Sequence, residues 1–547
     1  MNRAGTGFRL VLGVLFSAVF VWAFYNAVTA AHPTAVQPDV LHSFFWMLAT
    51  ATVCFALGLA LQRIGRRSRG PAAFLRRHER LCLLFFWLVV VPLQAAFLFS
   101  AFQLTGWDVK MLYDSAWAAV HEPLEKIDWS YYYVYPNNTF LLACETAVVR
   151  FCAASLPGLS RSMVYGLMLS ANLLAADFAL GCLHVLARRV WGRRWALLCL
   201  LYGTLLLGFN PWMTVLYSDT LALLFPIFFL WLLVGGENAR HWWSKALFYL
   251  LAGAVLAVGV SVKPTVIIAG IAALLARLYF AVFAREKKLK KLAAVLCAAL
   301  ILAAGAGASR AAIKHYVART LGPSGWNVRG DSDMEFPWAH FLLMGAVKYE
   351  VAPGITYYGA WNNKIITYTS SFTGYQNKVD ADLRAYRALV AQQGAAGYLR
   401  YLAEKLGWIM GDGSFFWGRE GVFYQGVDPE TVALQGAWGR SLKPLLQLGS
   451  PGNRSLEEFQ QGIWLYCLLL LSLSFLVVGR ERSAVDAMTV RLALIGILAF
   501  ILLFEGRSRY LFLYLPFFLL AAAGVQQRLL ELLCPKPPAK LPNVFVK

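Results

Sequence analysis

GWDVKMLYDSAWAAVHEPLEKIDWSYYYVYPNN, residues 106–138, is the first long polar interruption after three apolar stretches. It carries Asp108, Asp114, Glu122, Glu125 and Asp128 against Lys110 and Lys126, in a chain whose formal charge is +21. If the flanking apolar stretches cross a bilayer, these acids gather at one water–lipid boundary, ahead of a Tyr-rich run and a Pro-Asn-Asn turn. Chemistry is expected there.

Composition supports the crossing. Of the 547 residues 59% are hydrophobic and 14% charged, whereas soluble domains carry about 25% charged residues. The excess of Lys and Arg does not mark a nucleic-acid binder, because it lies in short clusters between apolar runs, as in cytoplasmic loops that meet anionic headgroups. The nine Cys fall in or beside apolar segments without CxxC spacing and read as small hydrophobes. The eight His form no HExxH or His-x-His pattern, which speaks against a dedicated zinc site. The first apolar run follows MNRAGTGFR without a convincing cleavage site and reads as a retained helix.

A spanning helix needs about 20 mainly apolar residues. Segments near 9–30, 40–62, 81–103, 162–186, 196–217, 220–235, 246–262, 264–283, 292–313, 461–479, 490–504 and 509–526 meet that standard, giving an all-α polytopic membrane protein of about 12 transmembrane helices. Arg and Lys set the orientation: residues 63–80 hold seven Arg, 187–194 four Arg and 284–291 five basic residues, all on one side of the twelve-span count. That side is cytoplasmic, and it includes both termini. The opposite face receives the loop 104–161, the connection at Tyr217–Asp219, Lys263, a segment 314–460 and the turn Glu505–Tyr510.

Four regions follow. Residues 1–80 hold two additional helices, 81–313 the membrane core, 314–460 an extracytoplasmic loop domain, and 461–547 the last helices and a cytoplasmic tail. Within the first outer loop, 139–156 is apolar but interrupted by Glu145 and Arg150, so a helix along the outer membrane surface is expected.

Each polar group at an outer helix end has two readings. Asp108 is either a solvated helix-end acid or a general base toward a hydroxyl. Asp219, in YSDTLALLF, either caps the next helix with Ser218 or stands beside Asp108 as a second carboxylate. Lys263, before Pro264, either snorkels to headgroups or meets a phosphate. Glu505, Arg507, Arg509 and Tyr510 make either a structural ion pair with an aromatic anchor or a fork for phosphate or carboxylate. Asp177 lies within the fourth span, where an ionisable side chain is costly and a functional candidate. No GxxxxGK[ST], GxGxxG or GxSxG motif is present, so an activated substrate has to arrive in another form, such as a lipid-linked donor.

Trp107-Asp108, YYYVYPNN at 131–138, YSDTLALLF at 217–225, VKPT at 262–265, MGAVKYEVAPGITYYGAWNN at 344–363 and EGRSRYLFLYLP at 505–516 stand in one order. In this the chain resembles the GT-C superfamily of glycosyltransferases, in the bacterial branch similar to protein O-mannosyltransferases and aminoarabinose transferases. The resemblance implies a GT-C-like fold, a polyprenyl-phosphate-linked sugar as donor, and an envelope glycan, lipid or protein as acceptor. It makes Asp108 the catalytic acid of the first outer loop and Asp219 a second acid, with Asp114 a competitor for the base. Lys263, Glu505, Arg507, Arg509, Tyr510, Tyr135, Asn137 and Asn138 would bind substrate. A divalent cation on Asp108 and Asp219 is possible on this reading, and no other cofactor is implied. The rival function is a transporter or flippase for lipid-linked sugars, which needs polar groups through the bundle; Asp177 and His184 are the main candidates.

Overall fold

The computed structural model describes residues 3–29, 40–64, 78–101, 107–122, 127–327, 333–353, 355–417, 436–446 and 450–533. The chain is mainly helical, opening with α1 (Arg3–Thr29), α2 (Val40–Ile64) and α3 (Glu79–Ala101). The acidic stretch is itself largely helical, forming α4 (Trp107–His121) and α5 (Trp129–Val134), followed by α6 (Thr139–Ser155). The bundle continues through α7 (Arg161–Met168), α8 (Ser170–Val190), α9 (Arg193–Gly203), α10 (Ser218–Ala222), α11 (Leu224–Asn238), α12 (Trp242–Val262), α13 (Ile267–Val282) and α14 (Lys288–Asn327).

Residues 338–410 then form α15 (Trp338–Gly345), an antiparallel hairpin of β1 (Lys348–Ala352) and β2 (Ile355–Tyr358), α16 (Asn363–Ser370) and α17 (Tyr375–Met410), with Tyr349 opposite Tyr357 in the hairpin. The last helices are α18 (Ala437–Leu446), α19 (Pro451–Ser472), α20 (Ala484–Leu503) and α21 (Leu515–Leu533).

Among the described residues, nine helices are long and apolar enough to cross a membrane: Arg3–Thr29, Arg80–Ala101, Arg161–Val190, Ser218–Asn238, Trp242–Val262, Pro264–Val282, Lys288–Gly322, Ala484–Leu503 and Ser508–Leu533. The other three of the twelve expected segments are helical but fall short of that measure. Two contain the shorter apolar helices Phe44–Ala60 and Trp195–Gly208. The third, 461–479, is the end of α19, whose first turns carry Arg454, Glu457 and Glu458 and which stops at Ser472.

The helix expected over 139–156 is present as α6, which packs on α4 and α14 and buries Leu141, Leu142 and Val149. Close backbone contact holds α12 to α14. A Cβ on Gly253 would lie 2.0 Å from the Leu302 carbonyl oxygen, and one on Gly305 would lie 2.2 Å from that of Leu250. Small residues at such a crossing let the two backbones approach, the usual basis of helix association in lipid.

The bundle has two polar ends. At one, Arg189 Nε lies 2.8 Å from Asp486 Oδ2, and Arg277 Nη2 lies 2.7 Å from Glu237 Oε1, tying α8, α11, α13 and α20 together. At the other, the chain leaves α20 at Leu503, α12 at Val262 and α3 at Ala101. There the sequence motifs converge.

Candidate active site

Asp108 occupies the first turn of α4, where a carboxylate is favoured by the unpaired N–H groups of the helix start. Its Oδ1 accepts a hydrogen bond from the Tyr131 hydroxyl (2.8 Å) and its Oδ2 one from the Tyr217 hydroxyl (3.2 Å). Behind Tyr131 stands a short polar relay. Asn138 Nδ2 donates to the Tyr131 hydroxyl at 2.7 Å, and Asn137 Nδ2 donates to Asn138 Oδ1 at 3.0 Å.

Local sequence dictates this arrangement. Asp128 caps α5 by accepting the Ser130 N–H at 3.0 Å, and Pro136 starts a single 3₁₀ turn, Pro136–Asn138, that ends the Tyr run. Burial, reinforced by the neighbouring Asp108 charge, drives the Tyr131 phenol pKa well above its ordinary value, and the same causes push Tyr135 up to about 12. Both phenols stay protonated at neutral pH, and that of Tyr131 is a donor to Asp108. Tyr135 packs on Tyr131, with ring centroids 5.3 Å apart.

Asp219 is wholly buried in α10. Arg509 Nε donates to its Oδ2 at 3.0 Å. Lys263 Nζ lies 2.9 Å from its Oδ1, within ion-pair reach although off the hydrogen-bond direction. The start of α10 is capped by neither Ser218 nor Asp219: the Tyr217 N–H donates to Thr220 Oγ1 at 3.2 Å. Asn172, buried in α8, fixes the approach by donating to the carbonyls of Met213 (3.2 Å) and Val215 (2.7 Å).

Tyr217 joins the two carboxylates. While its hydroxyl serves Asp108, its ring lies under Arg509, whose guanidinium carbon is 4.0 Å from the ring centroid. Lys263 Nζ stands 4.3 Å from the Tyr510 ring centroid, and the Tyr510 hydroxyl donates to Glu505 Oε2 at 3.2 Å. Desolvated cation–π contacts of this type contribute about 2 kcal/mol. Asp108, Tyr217, Arg509, Asp219, Lys263, Tyr510 and Glu505 thus form one continuous chain of contacts.

The turn that carries Arg509 is held from behind. Lys405, fully buried in α17, donates to the carbonyls of Gly345 (2.8 Å), Leu502 (3.1 Å) and Phe504 (2.7 Å). Burial lowers its pKa to about 7, against a smaller upward pull from Glu505. Asp412 accepts from the Phe416 N–H (2.8 Å) and the Ser508 hydroxyl (3.2 Å), and Trp212 Nε1 donates to the Phe415 carbonyl (2.9 Å). Phe415 and Phe416 both have positive φ, 54° and 72°, a strained backbone that such surroundings have to hold.

Of the residues singled out from sequence, Asp108, Asp219, Lys263, Glu505, Arg509 and Tyr510 come together, and Asn137 and Asn138 join them through Tyr131. Arg507 turns instead toward Phe416, with its guanidinium carbon 5.1 Å from the ring centroid. Asp114, six residues after Asp108, is about 240° round the helix. It is ion-paired there with Arg161 and with Lys110 (2.9 Å). Asp177 faces Gln94 within its span, and His184 Nδ1 lies 3.2 Å from the Ala196 carbonyl oxygen.

Among the described residues, no three His, Cys, Asp or Glu side chains gather as a metal site. Asp219 already has a cation against each oxygen, so a divalent ion bridging it to Asp108 does not fit this arrangement. Sequence reasoning did not assign Tyr131, Asn172, Tyr217, Lys405 or Asp412 a part in the site. Tyr131 and Tyr217 lie inside YYYVYPNN and YSDTLALLF, and their place in those runs is the signal the sequence offers.

The family model described as conserved hypothetical integral membrane protein matches residues 7–529, which takes in every residue of this site. The chain belongs to that family. The description gives a location and no reaction. No curated protein and no solved structure matches the chain.

Proposed function

We propose that this integral membrane protein is a glycosyltransferase that moves a sugar from a polyprenyl-phosphate-linked donor to a hydroxyl of a cell-envelope glycan, lipid or protein. The observation that carries the reading is the pairing, through Tyr217, of a carboxylate that accepts from two tyrosine hydroxyls with a centre in which two cations share one carboxylate. The first suits a base and the second, net positive, suits a phosphate leaving group.

In this mechanism Asp108 takes the acceptor proton as the acceptor oxygen attacks the anomeric carbon. The carbon–oxygen bond to phosphate breaks, and the polyprenyl phosphate leaves with the electron pair. One displacement inverts the anomeric centre. Arg509 and Lys263 stabilise the charge growing on phosphate, while buried Asp219 orients both cations and stays clear of the acceptor. The fold would be GT-C-like, with the three shorter apolar segments completing twelve crossings and the site on the extracytoplasmic face.

The test is transfer by purified chain reconstituted with a polyprenyl-phosphate sugar and an envelope acceptor. Asp108→Asn is expected to abolish transfer while donor binding persists. Transfer at the wild-type rate by that variant would sink the assignment.

A further inference from the structure

At the end of the bundle away from Asp108, the last turn of α8, the 473–483 connection and the last turns of α21 surround a cavity of about 210 Å³. Trp191, Arg480, Arg482, Gln527, Arg528 and Glu531 line it. A single water needs about 10–15 Å³ of such space, so the cavity has room for a far larger polar group. α20 runs from this connection to the Glu505 turn, and its 20 residues span about 30 Å, one hydrocarbon thickness. The cavity is therefore separate from the site described above.

Its charge is arranged by alternation along 480–482. Glu481 points inward, where its buried carboxylate meets Arg491 Nη1 at 2.7 Å, pairs with Arg9 and accepts the Gly479 N–H at 2.8 Å. The neighbours on either side, Arg480 and Arg482, are left facing the cavity, and among the described residues no carboxylate lies within ion-pair distance of either. The one acid of the lining, Glu531, is shared by Arg528 (3.6 Å) and Gln527 (3.0 Å).

Arg480 and Arg482 are both exposed at the mouth of the cavity, and Arg482 is tied to its wall. The Arg482 N–H donates to the Val190 carbonyl at 3.2 Å, and its guanidinium lies against Gly192, where a Cβ would come 2.9 Å from Nη2. Gly192 has φ +106°, a conformation that favours glycine, so this contact is open only to a residue without a side chain. Trp191 forms a rigid wall, its Nε1 donating to the Leu520 carbonyl at 2.7 Å.

We propose that this cavity binds a phosphate group, with Arg480 and Arg482 forming a fork over its oxygens and Arg528 at its rim. Planar guanidinium groups around a wet cavity match the charge and geometry of a phosphate oxyanion. The phosphate belongs either to the headgroup of an anionic lipid or to a soluble phosphate compound; the chemistry of recognition is the same.

Native mass spectrometry of the full chain in non-ionic detergent separates the two. The protein is given phosphatidylglycerol, phosphatidylcholine of the same acyl chains, or inorganic phosphate. Retention of phosphatidylglycerol over phosphatidylcholine, weakened about tenfold or more by Arg480→Gln/Arg482→Gln, identifies a lipid headgroup site. Retention of inorganic phosphate with the same sensitivity, and no preference between the lipids, identifies a soluble ligand.

Lys288→Gln/Lys290→Gln removes the same charge from the same end of the bundle outside the cavity and is expected to change neither. Arg480→Lys/Arg482→Lys keeps the charge and loses the fork, with an intermediate loss expected. Equal effects of both glutamine pairs, or no binding preference in the wild-type chain, would overturn the proposal.

Discussion

Replacing Lys405 by Met tests how the turn bearing Arg509 is held. The substitution keeps the length of the side chain and removes the donor shared by the carbonyls of Gly345, Leu502 and Phe504. The Gly345 carbonyl keeps the Tyr401 hydroxyl (2.6 Å), and a buried acceptor left without a partner costs about 1–3 kcal/mol, so the carbonyls of Leu502 and Phe504 together predict a loss of at least about 2 kcal/mol. The sign of the pH dependence follows from the lowered pKa. Between about 7 in the folded chain and 10.5 in the unfolded one, the unfolded lysine holds a proton that the folded lysine has released.

The unfolded state therefore binds more protons in that window, and wild-type stability rises with pH by about 1.4 kcal/mol per unit relative to Lys405→Met. Below pH 7 both states are protonated and the difference is flat. Thermal unfolding in detergent, followed by tryptophan fluorescence at intervals from pH 6 to 9, measures the gap between the two proteins. A gap that stays constant or narrows above pH 7 would refute the reasoning, since it would mean that Glu505 keeps the lysine charged against its burial.

Asp219→Asn leaves Lys263 and Arg509 beside each other without their shared counter-charge; a loss of about 3–5 kcal/mol is expected, and an unchanged unfolding midpoint would show that the pair is not buried as described. Tyr217→Phe keeps the ring under Arg509 and deletes the hydroxyl on Asp108, a hydrogen bond to a charged group that contributes about 1.5–3 kcal/mol, so sugar transfer should fall about tenfold or more with the fold retained and the unfolding midpoint lowered by a few degrees at most. Loss of fold in that variant would place the weight on stability instead. A reporter fused after residue 140 should be found outside the cell membrane, and a cytoplasmic signal would reverse the topology on which the proposed reaction depends.

The parts of the site that could be read from the sequence are those where polar residues interrupt apolar runs. Asp108, Asp219, Lys263 and the Glu505–Tyr510 turn all sit where a helix ends, and helix ends are visible from hydropathy alone. What could not be read is pairing over long separations. Lys405 lies in a segment with no clear period, and its partners are backbone carbonyls, which side-chain identity does not encode. Asp219 could be read either as a cap or as a second carboxylate beside Asp108; the Tyr217 N–H is met by Thr220 instead, and the aspartate serves two cations from distant segments. The start of the helix expected over 461–479 could not be read either, because a hydropathy window ignores where a helix begins; α19 begins ten residues earlier, on a polar turn.

The position of Tyr217 has a consequence for how the two halves of the site are linked. Its hydroxyl meets Asp108 and its ring face meets Arg509, so one side chain touches both opposite charges. A displacement of that ring disturbs both contacts together, so the base and the cation centre share one rigid side chain.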